Sequence, residues 1–165
     1  MVMAEKACGR LRLSRKEQHL LTDIVLLHKT PRHLYECQCK KMLDPRAITR
    51  FFMSGSVHTP HLLLYALAEA KSELSGNARN TNSFSDFILQ LLRTYYETFL
   101  VRKKLPPLIT GRDLISVFGL SPSADFRRIL TRLKEERLSG NITDRESALA
   151  MIREMIRGRV TIESL

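Results

Sequence analysis

The chain has 165 residues, of which 44% are hydrophobic and 27% are charged, and its 27 Lys and Arg outnumber 17 Asp and Glu. This length suits one domain or two small lobes, and a net charge of +10 favours a polyanionic partner, with nucleic acid ahead of a membrane surface. The odd number of cysteines, three, favours reduced thiols over a disulfide framework. The sequence shows no signal-peptide pattern and no long apolar run, which predicts a cytoplasmic location without a membrane partner.

The first half of the chain reads as helices separated by caps and breakers. Ser14 and Glu17 have the spacing of a capping box, and the apolar stripe that follows them is expected to end at Pro31. Two more helices are predicted to start where a capping side chain precedes a proline. These starts are Asp44-Pro45 and Thr59-Pro60, and the corresponding ends are Gly55 and Gly76.

A long amphipathic helix is predicted to begin at Ser83 and to end in the basic run of residues 102–104. The paired prolines of Leu105-Pro106-Pro107-Leu108 then mark the expected linker, because consecutive prolines favour extended backbone. Since no stretch alternates with a period of two, the predicted fold class is all-α. The predicted domains are a helical body over residues 1–104 and a three-helix tail over residues 105–165.

Three short helices are predicted in the tail from their start and stop signals. The first is expected to be capped by Thr110 and to end at Gly119. The second is predicted to run from Ser121-Pro122 to Ser139-Gly140. The last is expected to be capped by Thr143 with Glu146 and to end near Gly158.

Several stretches resemble a known enzyme family. PPLITGRDLISVFGLSPSADFRRILTRLKEERLSGNITDRESAL resembles the C-terminal tail of bacterial class II tRNA nucleotidyltransferases and poly(A) polymerase-like enzymes. LRLSRKEQHLLTDIVLLHKTPRHLY, RAITRFFMSG and HLLLYALAEAKSE are similar to helices of the longer family members that follow the first half of an HD-type module. The resemblance implies a helical body, made of the second half of an HD-like module and a long helix, and a tail. Body and tail together would hold tRNA away from its 3′ end.

The family's catalytic pattern is not found in this sequence. Its head domain carries a Gly-Ser pair and paired aspartates that hold Mg²⁺ beside CTP or ATP, whereas Gly55-Ser56 is followed by no such aspartate pair. The His-Asp pair that names HD-type phosphohydrolases is missing too, and His28 and Glu69 are the only residues left for that role. The chain is therefore expected to be an inactive C-terminal fragment without its own cofactor, whose partner is the catalytic head.

Two groups of residues are candidate metal ligands. His33 and Cys37 are four residues apart and share a helix face, with Cys39 as a third candidate, but the expected role of these thiols is buried or idle. His58 and His61 flank a helix start, where surface polar residues are common. No metal site is predicted.

The tail and the run before it supply the predicted RNA-binding residues. Arginine can grip phosphate oxygens with two hydrogen bonds, and the free N–H groups at a helix N-terminus add an anion site. Arg132 can instead pair with Glu136 on its own helix. The candidates are Arg102, Lys103, Lys104, Thr110, Gly111, Arg112, Arg127, Arg128 and Arg132.

These patterns leave three functions open. The first is binding of tRNA or another structured RNA through shape and phosphate, as the family resemblance implies. The second is a helix-turn-helix DNA reader, in which the helix from Ser121 enters a major groove. The third is a structural or dimerisation module.

Overall fold

The structure is a computed structural model that describes residues 2–72 and 78–160. Over these residues the chain is helical and contains no β-strand, which confirms the predicted all-α class. It divides into two compact units, Met1–Thr98 and Phe99–Leu165, called here the N-terminal and C-terminal units. No helix in the described part is long and apolar enough to cross a membrane.

The N-terminal unit contains six α-helices within its described residues. Their bounds are α1 Val2–Arg10, α2 Arg15–Leu27, α3 Thr30–Cys39, α4 Pro45–Gly55, α5 Thr59–Ser72 and α6 Ala78–Arg93. Helix α5 packs mainly on α6 and also touches α2, α3 and α4, so it lies at the centre of this unit. Its Leu62 and Leu63 are fully buried together with Phe52 and Ile88 of the neighbouring helices. The HD-like description of this region stays a prediction.

Several helix boundaries in this unit differ from those expected. The Ser14–Glu17 capping box and the Asp44 cap are present as predicted. Pro31 does not end a helical segment, because it lies in the first turn of α3, where a proline loses no backbone hydrogen bond. Ser83 does not open the long helix, since α6 already begins at Ala78. The predicted stop at Gly76 lies outside the described residues.

The turn between α4 and α5 is built around Ser56. A short 3₁₀ turn, Ser56–His58, connects the two helices. Thr59 does not cap α5; it is buried inside the first turn, and its hydroxyl donates to the Ser56 carbonyl at 3.0 Å. The Tyr95 hydroxyl donates to the same carbonyl at 2.7 Å. The Gly55-Ser56 pair is thus part of an interhelical turn tied to the unit's core.

The C-terminal unit begins within a π-helical turn, Thr94–Phe99, that follows α6 and that the sequence did not predict. Its helices are α7 Leu100–Lys104, α8 Gly111–Phe118, α9 Ala124–Ser139 and α10 Arg145–Val160. Helix α9 packs against each of the other three. The core that they enclose contains Ile109, Leu114, Ile129, Leu133, Ile142, Ala148 and Ile152.

The helix caps of this unit follow the predicted pattern except before α9 and α10, where a different residue caps the helix. Thr110 and Asp113 form the predicted capping box, and Gly119 ends α8 in the left-handed conformation. Helix α9 starts later than expected, because the Ser123 hydroxyl, rather than the Ser121-Pro122 pair, accepts from the backbone of its first turn. Asp144 replaces Thr143 as the cap of α10, since its carboxylate accepts from the Ser147 N–H at 2.8 Å.

Candidate nucleic-acid interface

The outer face of α9 presents cations that have no partner within the described part of the chain. Arg127, Arg128 and Lys134 are exposed, and their side chains make no ion pair or hydrogen bond there. They stay outside because the buried face of α9 carries Ile129 and Leu133. A charge without a protein partner remains available to an external anion.

Arg132 lies on the same helix but is already paired. Its Nη2 lies 2.8 Å from Oε1 of Glu136, one turn further along α9, and Glu135 lies within ion-pair distance. Both carboxylates belong to buried residues. The intrahelical pair of Arg132 with Glu136, one of the two alternatives that the sequence offers, is therefore present in the structure.

Arg102 contacts the backbone at the end of α9. Its Nη1 donates to the Leu138 carbonyl at 3.0 Å. The guanidinium also lies against Gly140, where an added Cβ would stand 2.5 Å from Nη2. Gly140 has a φ of 88°, a conformation that glycine adopts without strain. Arg102 thus satisfies one of the carbonyls left open at the C-terminus of α9.

The N-terminus of α8 holds a carboxylate of the chain itself. Oδ2 of Asp113 accepts from the Thr110 N–H at 2.7 Å, and Oδ1 pairs with Arg145. The Arg145 guanidinium, together with the Thr110 hydrogen bonds, holds the pKa of the Asp113 carboxyl well below its usual range. Beside this pair, Gly111 packs close to Phe126, whereas Arg112 is exposed and has no partner among the described residues.

A cleft next to α9 brings together cations from different parts of the unit. It has a volume of about 420 Å³, and Lys103, Lys134 and Arg137 lie among its lining residues. Lys104, the neighbour of Lys103, is exposed without lining it. Arg137 is not among the RNA-binding residues predicted from the sequence. Its spacing of three from Lys134 on one helix was the signal that could have found it.

The candidate metal ligands of the N-terminal unit do not form a site among the described residues. The closest approach is 3.7 Å between Cys37 Sγ and His33 Nε2, and Cys39 is exposed. Within residues 2–72 and 78–160, no three His, Cys, Asp or Glu side chains are grouped so that they could hold a metal ion. The absence of a cofactor stays a prediction.

His58 and His28 have protein partners within the N-terminal unit. His58 Nδ1 lies 2.6 Å from Oδ2 of Asp23, so this histidine connects the α4–α5 turn to α2. His28 Nδ1 lies 3.2 Å from the Ile24 carbonyl, and its ring meets Tyr65 edge-on. Glu69, the other residue considered for an HD-type role, lines a separate hollow with Arg32 and Glu36 among its neighbours.

Comparison with known proteins gives one informative match. The chain is 30% identical over 110 residues to a CC-adding tRNA nucleotidyltransferase of Synechocystis sp.. The chain is similar to a tRNA nucleotidyltransferase. The aligned residues are 67% of this chain and 24% of the cyanobacterial enzyme, so the match spans about a quarter of the relative's length. This similarity supports a relationship to that family. No protein-family model matches the chain, and no solved structure matches it significantly.

Proposed function

We propose that this chain binds structured RNA, with tRNA as the leading candidate, through the exposed cations of its C-terminal unit. The observation that carries the proposal is that Arg112, Arg127 and Arg128 are exposed and have no partner among the described residues. The similarity to a CC-adding tRNA nucleotidyltransferase supports RNA as the anion that they meet. We further propose that the chain corresponds to the RNA-binding C-terminal region of such an enzyme.

Phosphate contact is the recognition mode that these side chains suit. A guanidinium can donate two parallel hydrogen bonds to phosphate oxygens, and an arginine without a protein partner gives up no existing bond when it does so. A-form RNA hides its base edges in a deep, narrow groove, so contacts to the backbone and to shape are expected to dominate. Lys103 and Lys104 are exposed as well.

Other candidate residues have structural roles that compete with RNA contact. The guanidinium of Arg102 is bound to a backbone carbonyl, and that of Arg132 is bound to a buried carboxylate. At Thr110 the hydroxyl serves the capping box, with the Asp113 carboxylate beside it. The proposed contact surface therefore contains Lys103, Lys104, Arg112, Arg127 and Arg128.

Nucleotide addition is assigned to a different part of the proposed parent enzyme. Transfer to a 3′ end requires carboxylates that hold Mg²⁺ beside CTP or ATP. The one Gly-Ser pair of this chain, Gly55-Ser56, belongs to a turn whose groups bond to Thr59 and Tyr95. We propose that the catalytic head of the parent protein supplies the metal site, and that this chain positions the substrate.

The test measures binding of the full chain to labelled tRNA that lacks its 3′ CCA, by fluorescence anisotropy over a range of salt concentrations. Replacing Arg112, Arg127 and Arg128 together with alanine is expected to weaken binding about tenfold or more. The slope of log K against log salt should become shallower by about two, because fewer counterions are released. The matched control replaces Arg10, Lys16 and Lys40, three exposed cations of the N-terminal unit.

Equal losses in the two triple variants would contradict the assignment to the C-terminal unit. A helix-turn-helix DNA reader would instead prefer particular duplex DNA sequences over tRNA at equal salt. A purely structural module would bind neither nucleic acid, and light scattering would show self-association. Either result would overturn the proposed function.

A further inference from the structure

The cleft beside α9, called the tail cleft here, combines an apolar floor with a cationic rim. Its floor contains Ile109, Leu133, Ile142 and Ala148, which are buried members of the unit's core. Leu105 and Pro107 form an exposed apolar wall. A hollow of about 420 Å³ falls within the size range of small-molecule sites.

The rim is positive and has no counter-charge in its lining. Lys103, Lys134 and Arg137 line the cleft, and among the described residues no Asp or Glu does. None of these three side chains makes an ion pair or hydrogen bond within residues 2–72 and 78–160. Three cations from two separate helices thus line one apolar cleft, and no carboxylate among the described lining residues neutralises their charge. This combination matches a ligand with a flat apolar body and a compact anionic group.

A second, more open hollow adjoins the tail cleft along α9. It is lined by Pro122, Phe126 and Arg127, and it shares Leu130 and Lys134 with the cleft. Two adjoining apolar hollows that share one lysine offer places for two bases with a cation common to both. Stacking of bases on apolar and aromatic side chains, with cations on the backbone, is the usual way that proteins hold unpaired nucleotides.

We infer that the tail cleft is a nucleotide site, in which an unpaired base lies on the Ile109–Leu133 floor and its phosphate contacts Lys103, Lys134 and Arg137. The inference deepens the proposed RNA-binding function and rests on it for the source of the nucleotide. The same chemistry would accept a free nucleotide. Among the described lining residues, the one side-chain hydroxyl is that of Thr110, and it is hydrogen-bonded to Asp113, so little discrimination among the four bases is expected.

The experiment titrates the full chain, labelled at its isoleucine and leucine methyl groups, with 5′-AMP, with an unstructured oligouridylate and with decanoate. The methyl signals of Ile109, Leu133 and Ile142 are expected to shift with either nucleotide probe, and those of Leu62 in the N-terminal unit are not. The four nucleoside monophosphates should bind within about threefold of one another. Tighter binding of oligouridylate than of AMP would assign the site to an RNA nucleotide, and the reverse would assign it to a free nucleotide.

Two pairs of variants distinguish binding in the tail cleft from general attraction to the positively charged surface. Replacing Lys103, Lys134 and Arg137 with alanine should weaken AMP binding about tenfold or more. Replacing Lys104, Arg112 and Arg128 removes the same charge and should weaken tRNA binding while AMP binding persists. For the apolar wall, Leu105→Ala should weaken AMP binding, whereas Val101→Ala, at a residue of similar exposure that does not line the cleft, should not.

The outcomes distinguish this inference from the proposed function. The nucleotide site would be overturned if the chain bound tRNA without any shift of the cleft methyl signals, or if the two triple variants weakened AMP binding equally. The RNA-binding proposal would then still stand. Shifts with decanoate alone would also overturn the nucleotide site. AMP bound at the cleft by a chain that binds no tRNA would support the site and refute the proposed function.

Discussion

Glu136 carries a buried carboxylate whose two oxygens have different partners. Arg132 lies 2.8 Å from Oε1, and the Asn141 side-chain amide donates to Oε2 at 2.6 Å. The Glu136 carbonyl also accepts from the Asn141 N–H, so the residue closes the C-terminal turn of α9. Arg132 is therefore a structural residue of this turn as well as a surface cation.

Arg132→Ala is expected to destabilise the fold, because it removes an ion pair from a buried carboxylate. The expected loss in the free energy of unfolding is about 1–3 kcal/mol. Urea denaturation followed by circular dichroism measures it. Arg128→Ala, which removes an exposed arginine of the same helix, should change the free energy by no more than about 0.5 kcal/mol. Equal stabilities of the two variants would contradict the structural role.

Gly55 is restricted by space rather than by backbone conformation. A Cβ at this position would stand 2.7 Å from Thr59 Oγ1 and 2.9 Å from Leu62 Cδ1, both in buried residues. Gly55→Ala is therefore expected to lower the free energy of unfolding by about 1–3 kcal/mol. Thermal and urea unfolding of the variant test this directly.

A substitution at the adjacent Ser56 is a useful control, because it is not expected to lower stability. Its φ of 46° lies in the region that favours glycine. Ser56→Gly keeps the carbonyl that accepts from Thr59 and Tyr95 and should leave stability unchanged or raise it by up to about 1 kcal/mol. A destabilisation as large as that of Gly55→Ala would show that the turn does not tolerate any change.

At the scale of elements, the start of α8 makes the C-terminal unit sensitive to acid. The folded-state pKa of Asp113 is lowered by Arg145 and by the Thr110 bonds, whereas the pKa of an unfolded aspartate is about 3.9. A lowered folded-state pKa gives stability that is complete above the unfolded value and is lost as the pH falls below it. Unfolding followed from pH 7 to pH 2 should therefore show declining stability below about pH 4.

Asp113→Asn separates the contribution of Asp113 to acid sensitivity from the contributions of the other carboxylates. The variant removes the charge that Arg145 and Thr110 stabilise, so it should be less stable at neutral pH and should lose less stability on acidification than the parent. Asp44 and Asp144 also have lowered pKa values from their capping bonds, so some acid sensitivity should remain. If the stability of parent and variant fell equally as the pH was lowered, Asp113 would be excluded as a source of the acid sensitivity.

A helix cap could be predicted from the sequence where a single residue near the helix start could serve as the cap. Where neighbouring residues could also serve, the cap lies at a different residue from the predicted one. Thr110 has the only suitable side chain before α8, and it was identified from the sequence. Before α9 and α10, Ser123 and Asp144 each stand one or two residues after the expected cap, and the local pattern fits both choices. The π-helical turn at Thr94–Phe99 depends on packing, which a periodic pattern does not contain.

Over the whole molecule, the all-α class followed from periodicity and the absence of alternation, but the candidate surface needed three-dimensional contacts. Exposure of Arg112, Arg127 and Arg128 follows from the apolar stripes of their helices. The carbonyl contact of Arg102 joins residues 36 positions apart, and no local pattern indicates it. The convergence of Lys103 with Arg137 likewise arises from the packing of α7 on α9.

The whole chain is expected to bind tRNA without extending it. Full chain, Mg²⁺, labelled CTP and ATP, and tRNA lacking its 3′ CCA should give no longer product on a denaturing gel, because metal-assisted transfer needs carboxylates that hold the ions. A complete tRNA nucleotidyltransferase serves as the positive control. Added in excess to that control, the parent chain should slow extension by sequestering tRNA, and the variant without Arg112, Arg127 and Arg128 should slow it less. Label incorporated by the parent chain alone would refute the assignment of catalysis to a separate head.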